Sequence, residues 1–145
     1  MTFASRLPIA PVPDHWCWIG EDDSAYLRGL IDWLKCRRNA IDQANDYHVQ
    51  LLSVSSTKKI QKLLAKTKAD VFVWSIDREG IATLIREIVW LKAVQPNAFQ
   101  IAAGPASPAE RNAFFEAGVR LHIEHPTQWH SSRRLGRSRF GVDPA

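Results

Sequence analysis

The sequence predicts an α/β protein: a five-stranded parallel sheet covered on both faces by helices, in a three-layer doubly wound arrangement. Three observations carry this expectation. Short apolar runs alternate strictly with segments whose apolar residues recur at helical spacing. The connections between them are short, which favours right-handed crossovers between parallel strands. The run Ala69-Asp70-Val71-Phe72-Val73-Trp74-Ser75-Ile76-Asp77 is apolar on both faces, as a central strand must be, and ends in a hydroxyl and a carboxylate. In such sheets ligands and chemistry gather at the carboxyl ends of the strands, so Ser75 and Asp77 hold the most informative positions in the chain.

The elements follow in order. After a proline-spaced arm over 1–14, His15-Trp16-Cys17-Trp18-Ile19 reads as a first strand with both faces apolar. Gly20-Glu21-Asp22-Asp23 ends it, and Asp23 or Ser24 can cap a helix that carries Leu27, Leu30, Ile31 and Leu34 on one stripe and stops near Arg38-Asn39. A second strand is expected over Val49–Val54. Ser55-Ser56-Thr57 then starts a second helix with Ile60, Leu63 and Leu64 facing inward. The third strand, Val71 to Ser75, precedes a helix from about Arg78 to Val94, with Asp77 as candidate cap and Ile81, Leu84, Ile85, Ile88 and Leu91 inward. Phe99–Ala103 makes a fourth strand. Ser107-Pro108-Ala109-Glu110 combines a hydroxyl cap, a proline at the first helical position and a glutamate that closes a capping box, and Gly118 suits the far end of that helix. Val119–Ile123 supplies the fifth strand. Past Glu124-His125-Pro126 the pattern fades: Trp129, Leu135 and Phe140 share no helical face and Gly136 interrupts them, so a fifth helix is weak or absent.

Length and composition bound the rest. A chain of 145 residues forms about one domain, placed here at 15–126 between the arm and a basic tail over 127–145. No run reaches the ~18 apolar residues of a membrane span, and the N-terminus lacks the basic and apolar blocks of a signal peptide, so a cytoplasmic protein is expected. Cys17 and Cys36 lack paired spacing, which leaves buried reduced thiols as the default rather than a metal or disulfide framework. The net charge of +4 is concentrated in Arg133, Arg134, Arg137 and Arg139. Such a tail can contact nucleic acid, but with no interleaved aromatics a solvated tail is the simpler expectation.

The chain resembles a family over Trp16 to Pro126. Gly20-Glu21-Asp22-Asp23-Ser24 followed by the Leu27/Leu30/Ile31 stripe looks like the acidic turn and first helix of the receiver domain of bacterial response regulators. Asp70-Val71-Phe72-Val73-Trp74-Ser75 looks like its third strand, and Gly118 to Pro126 like its last strand ending in Lys-Pro. The resemblance implies a flavodoxin-like fold with strand order 2-1-3-4-5. It also implies phosphoryl transfer to an aspartate at the end of strand 3, with magnesium on the acidic pair, a Ser or Thr at the end of strand 4 and a lysine after strand 5. The chemistry explains these residue types: a carboxylate nucleophile, cations that neutralise the phosphoryl charge, and a hydroxyl that senses it. Carried over position by position, Glu21 and Asp22 keep the acidic pair, whereas Ser75 stands at the acceptor, Ala103 at the hydroxyl and His125 at the lysine.

A serine cannot form the acyl phosphate, and Asp77 two residues on fits helix capping better than a displaced acceptor. The expectation is therefore a degenerate, non-catalytic receiver-like domain that works by binding a protein partner or itself, with no cofactor. Magnesium on Glu21 and Asp22 is a weaker expectation. Two competing functions are a phospho-accepting receiver that uses Asp77, and a nucleic-acid or nucleotide-binding flavodoxin-like module. The strand-to-helix turn has no G-x-S-x-G elbow, which argues against a Ser75, Asp77, His125 hydrolytic set. His122 reads as a satisfied edge-strand histidine. Trp90 lies opposite the inward face of the third helix, so it either anchors a partner or packs beneath a neighbouring segment. Without a fifth helix, the apolar side of strands 3 to 5 needs another cover, from the arm (Leu7, Ile9, Val12), from Trp129 and Leu135, or from a second chain.

Overall fold

Aromatic and aliphatic runs pair into one parallel sheet in a computed structural model that describes residues 13–40, 48–52, 57–76 and 80–131. The strands are β1 (His15–Ile19), β2 (His48–Leu52), β3 (Val71–Ser75), β4 (Phe99–Ala103) and β5 (Leu121–Ile123), in the order β2-β1-β3-β4-β5. Every neighbouring pair is parallel. The helices are α1 (Ala25–Ala40), α2 (Thr57–Lys66), α3 (Ile81–Val94), α4 (Pro108–Ala117) and the four-residue α5 (Gln128–Ser131). This is the predicted doubly wound class and strand order.

The two-residue period of the strands divides the core into two layers. Trp16, Trp18, Val71, Val73, Phe99, Ile101 and Ile123 meet Leu27, Leu30, Trp33 and Leu34 of α1 and Trp129 of α5. Cys17, Ile19, Phe72, Trp74 and Ala102 face the other way, onto Ile60 and Leu64 of α2, Leu84, Ile88 and Leu91 of α3 and Phe114 of α4. Burial pushes the Cys17 thiol up to about 12, because a thiolate there would lose its hydration.

Local chemistry sets several boundaries as expected. Ser24 begins α1, its Oγ accepting from the Tyr26 amide at 3.1 Å. Ser107 and Glu110 form the reciprocal capping box of α4, with Pro108 in its first turn, and Gly118 takes φ 138° at its end.

Other expectations fare differently. The described part of α3 begins at Ile81 after Gly80, which offers no side-chain cap, and the expected cap Asp77 lies outside the described residues. Leu63 is 46% exposed, because α2 meets the sheet at its margin and buries only the narrow arc of Ile60 and Leu64. Trp90, expected either to anchor a partner or to pack beneath a neighbouring segment, is half-buried against the core beneath α2, α3 and α4. The reason is that α3 packs on both α2 and α4, which widens its buried arc beyond one stripe. Cys36 is exposed on α1 and only Cys17 is buried. Of the proposed covers, Leu7, Ile9, Val12 and Leu135 lie outside the described residues.

Trp129 does supply cover, and it is fully buried. Its ring stacks on Trp33 at 6.2 Å and meets Trp16 edge-on at 6.4 Å, while Trp16 meets Trp33 edge-on at 6.0 Å. Two of these indoles also find a partner for their polar edge: Trp129 Nε1 donates to the Tyr26 carbonyl at 3.0 Å and Trp16 Nε1 to the Pro13 carbonyl at 2.6 Å. Gly29 lets the turn before α5 come this close, for a Cβ there would lie 2.5 Å from the Pro126 carbonyl oxygen. Among the described residues, these three large rings fill the layer between the sheet, α1 and α5.

Trp129→Ala should destabilise the fold by about 3 to 5 kcal/mol, since it opens a cavity among rigid rings. Trp90→Ala, at a half-buried site, should cost under about 2 kcal/mol. Urea unfolding of both variants checks this, and equal losses would contradict the assignment of the closing role to Trp129.

Candidate functional site

The carboxyl edge of the sheet is built from the strand register. Ile19 pairs with Trp74, Ser75 with Ala103, and Ala103 with Ile123. One residue past the β1 pairing, Gly20 lies against Ser75: a Cβ on Gly20 would sit 2.4 Å from Ser75 Cβ and 3.2 Å from its Oγ. The row across the centre of this edge is therefore Gly20, Ser75, Ala103 and Ile123, with no carboxylate and no cation in it.

Backbone bonds hold the row. The Gly20 amide donates to Leu52 O, Ile76 to Ala103 O and Gly104 to Ile123 O, each at 2.9 Å. Beneath it, Trp74 Nε1 donates to Gln100 Oε1 at 2.7 Å, and Gln100 Nε2 donates to the Ile88 carbonyl at 3.2 Å. This buried network fixes the last turn of β3 against β4 and α3, and with both ends of the amide satisfied it costs little to keep.

The sequence-predicted residues fall around this row. Glu21 and Asp22 are exposed in the turn after β1. That turn is held by Trp18 Nε1, which donates to Glu21 O at 2.9 Å, and by Arg28 Nη1, which donates to Asp23 O at 2.5 Å. Ser75 is half-buried and Ala103 is buried at 1% exposure. His122 is buried, its Nε2 hydrogen-bonded to the Gly104 carbonyl at 2.6 Å, which accounts for the ring as a structural group. His125 is exposed in the turn after β5, where Gln128 Oε1 accepts from the amides of Glu124 and His125. Asp77, Arg133 and Arg134 lie outside the described residues.

The sequence pattern gave no sign of the part Gly20 plays. A glycine after an apolar strand looks like punctuation, and only the register shows that its missing side chain is the space Ser75 occupies. Among the described residues the donor set fits magnesium poorly: the central row offers a glycine and a neutral hydroxyl, and the two carboxylates of Glu21 and Asp22 are on an exposed turn.

With this geometry in place, comparison defines the class. No family model and no curated protein matches the chain. Among solved structures, the chain is similar to a CheY-like protein, TadZ, of Pseudomonas aeruginosa, at 20% identity and TM-score 0.57, over 90% of this chain and 97% of that one. It is similar to a Burkholderia pseudomallei response regulator that carries a phosphorylated aspartic acid and a calcium ion, at 18% identity and TM-score 0.58, over 81% of this chain and 64% of that one. It is also similar to a Sinorhizobium meliloti protein assigned to pilus assembly as CpaE2, at 15% identity and TM-score 0.55, over 80% and 93%. The chain has the fold of the CheY-like response-regulator receiver domains. Among its described residues, no helix is long and apolar enough to cross a membrane.

Gly20→Ala should destabilise the protein by about 1 to 3 kcal/mol, because it adds a Cβ at φ 155° against the Ser75 side chain. Ser75→Gly removes that collision and should recover about 1 kcal/mol of the loss in the double variant. Strictly additive losses in a urea double-mutant cycle would contradict the contact.

Proposed function

We propose that this chain is a receiver-fold interaction module that operates without aspartyl phosphorylation. The observation that carries the reading is Ser75 packed against Gly20 in the row where an acceptor carboxylate and its metal would have to stand. A serine hydroxyl with no base beside it is a weak nucleophile and forms no acyl phosphate. The buried methyl of Ala103 offers no hydrogen bond to report a phosphoryl group, and His125 supplies neither the reach nor the permanent charge of a lysine. With those parts exchanged, binding is the work left to the scaffold, and it needs no enzyme activity and no cofactor.

The partner class follows from the same logic. A module that has kept its sheet and helices while its chemical edge has been filled presents surfaces, and these suit a protein partner or a second copy of the chain. Val89 and Val94 on α3 and Phe115 on α4 are exposed apolar side chains that such a partner could cover. The similar solved structures include a pilus assembly protein and a response regulator studied for DNA interaction. Those roles belong to those proteins, and they illustrate two uses of one fold. A cytoplasmic setting and nucleic-acid contact through Arg133 and Arg134 stay with this reading as secondary proposals, resting on composition and on the charge of the tail.

Incubation of the full chain with magnesium and acetyl phosphate, followed by intact-mass measurement, tests the reading. The expected mass is unchanged. A labile phosphoryl adduct, including one mapped to Asp77, would overturn it. Ser75→Asp alone should remain unmodified as well, because Ala103 and His125 still lack the hydroxyl and the lysine cation that support the transfer.

A further inference from the structure

Outside the strand-end row, α1 and α5 bring three metal-ligating side chains together. Asp32 and Cys36 stand four residues apart on α1 and so share one face of it. His130 faces them from α5, its Nε2 lying 2.9 Å from Asp32 Oδ2. One donor atom from each of the three lies within 4.8 Å of the other two, and all three side chains are exposed. We propose that Asp32, Cys36 and His130 form a zinc site that clasps α5 to α1, with the fourth position of the ion open to solvent.

The donor chemistry selects the ion. A thiolate beside an imidazole and a carboxylate disfavours magnesium and calcium, which take oxygen ligands, and suits a borderline ion such as Zn2+. Zinc bonds of about 2.0 to 2.3 Å put donors about 3.3 to 3.7 Å apart around a tetrahedron. The Asp32 and His130 donors need to separate by only a few tenths of an ångström to reach that spacing. Three protein ligands and one open position is a coordination that zinc commonly takes.

The scaffold is rigid where the site needs rigidity. His130 follows the fully buried Trp129, whose indole is bonded to the Tyr26 carbonyl of α1. The Tyr26 hydroxyl donates back to the Glu124 carbonyl at 2.6 Å, and Gly29 admits the Pro126 carbonyl against the helix. The two ligand-bearing elements are thereby registered before any ion arrives, which lowers the ordering cost of binding. A simple exposed ion pair would account for His130 and Asp32, but not for a thiol placed on the same face within reach of both.

Titration of the full chain with Zn2+ alone, followed by calorimetry, should give one ion per chain. Cys36→Ser, His130→Gln and Asp32→Asn alter exposed side chains, so each should keep the fold while weakening zinc binding by at least about tenfold. Co2+ in place of zinc should give a thiolate-to-metal charge-transfer band that Cys36→Ser abolishes. Zinc should also raise the melting temperature of the parent chain and leave that of Cys36→Ser unmoved. Three results would overturn the proposal: no stoichiometric binding, binding that survives all three substitutions (as it would at the stacked His15 and His48 rings), or one ion per two chains.

Discussion

The packing of Trp16, Trp33 and Trp129 is the constraint on which the rest of this structure depends. A parallel sheet whose central strands are apolar on both faces cannot leave either face wet, because every uncovered ring forfeits the burial that offsets chain entropy. Among the described residues, the α1 face is covered by α1 and by the α5 segment Gln128–Ser131. That cover works because the strands themselves carry large rings: Trp16 and Trp18 reach up from β1, Trp33 reaches down from α1, and Trp129 is inserted between them. The indole N–H groups turn this volume into position. Those of Trp16, Trp18 and Trp129 are each tied to a nearby backbone carbonyl, so these rings cannot slide, and the turn holding Glu21 and the turn leading to α5 inherit their places from them.

The same compactness governs the carboxyl edge. Trp18 anchors the acidic turn from below, and Gly20 leaves room for the Ser75 side chain at the row where the sheet would otherwise open. Among the described residues, the row Gly20, Ser75, Ala103 and Ile123 holds this edge by backbone contact and small side chains, and phosphoryl chemistry would need charged groups placed beside it. Fold and function separate at this point: the sheet order is that of receiver domains, while the chemistry of the edge depends on a few residue identities that the fold does not dictate.

How much of this was legible in the sequence depended on the range of the forces involved. The capping box of Ser107 and Glu110 and the cap at Ser24 were readable because they act within one turn. β3 and β4 were readable because their apolar runs are continuous, and the strand order came with the resemblance those runs supported. Leu63 was expected inward but is exposed, and the half-burial of Trp90 could not be read from one helical stripe because α3 meets both α2 and α4. The described span of α5, Gln128–Ser131, carries no period of its own, in keeping with the expectation of a weak or absent fifth helix. The contact between Gly20 and Ser75, and the meeting of Cys36 with His130, join positions far apart in the chain, and only tertiary register reveals them.

The central claim is that Trp129 covers the α1 face of this receiver-type sheet from within the same chain. Hydrogen exchange of the indole N–H groups, followed by NMR on nitrogen-15-labelled protein in deuterated water, tests it most directly. The account predicts that the Trp129 indole N–H, buried and bonded to Tyr26, persists on the timescale of the Trp74 indole bonded to Gln100. Loss of the Trp129 signal within the dead time, while that of Trp74 remains, would contradict it.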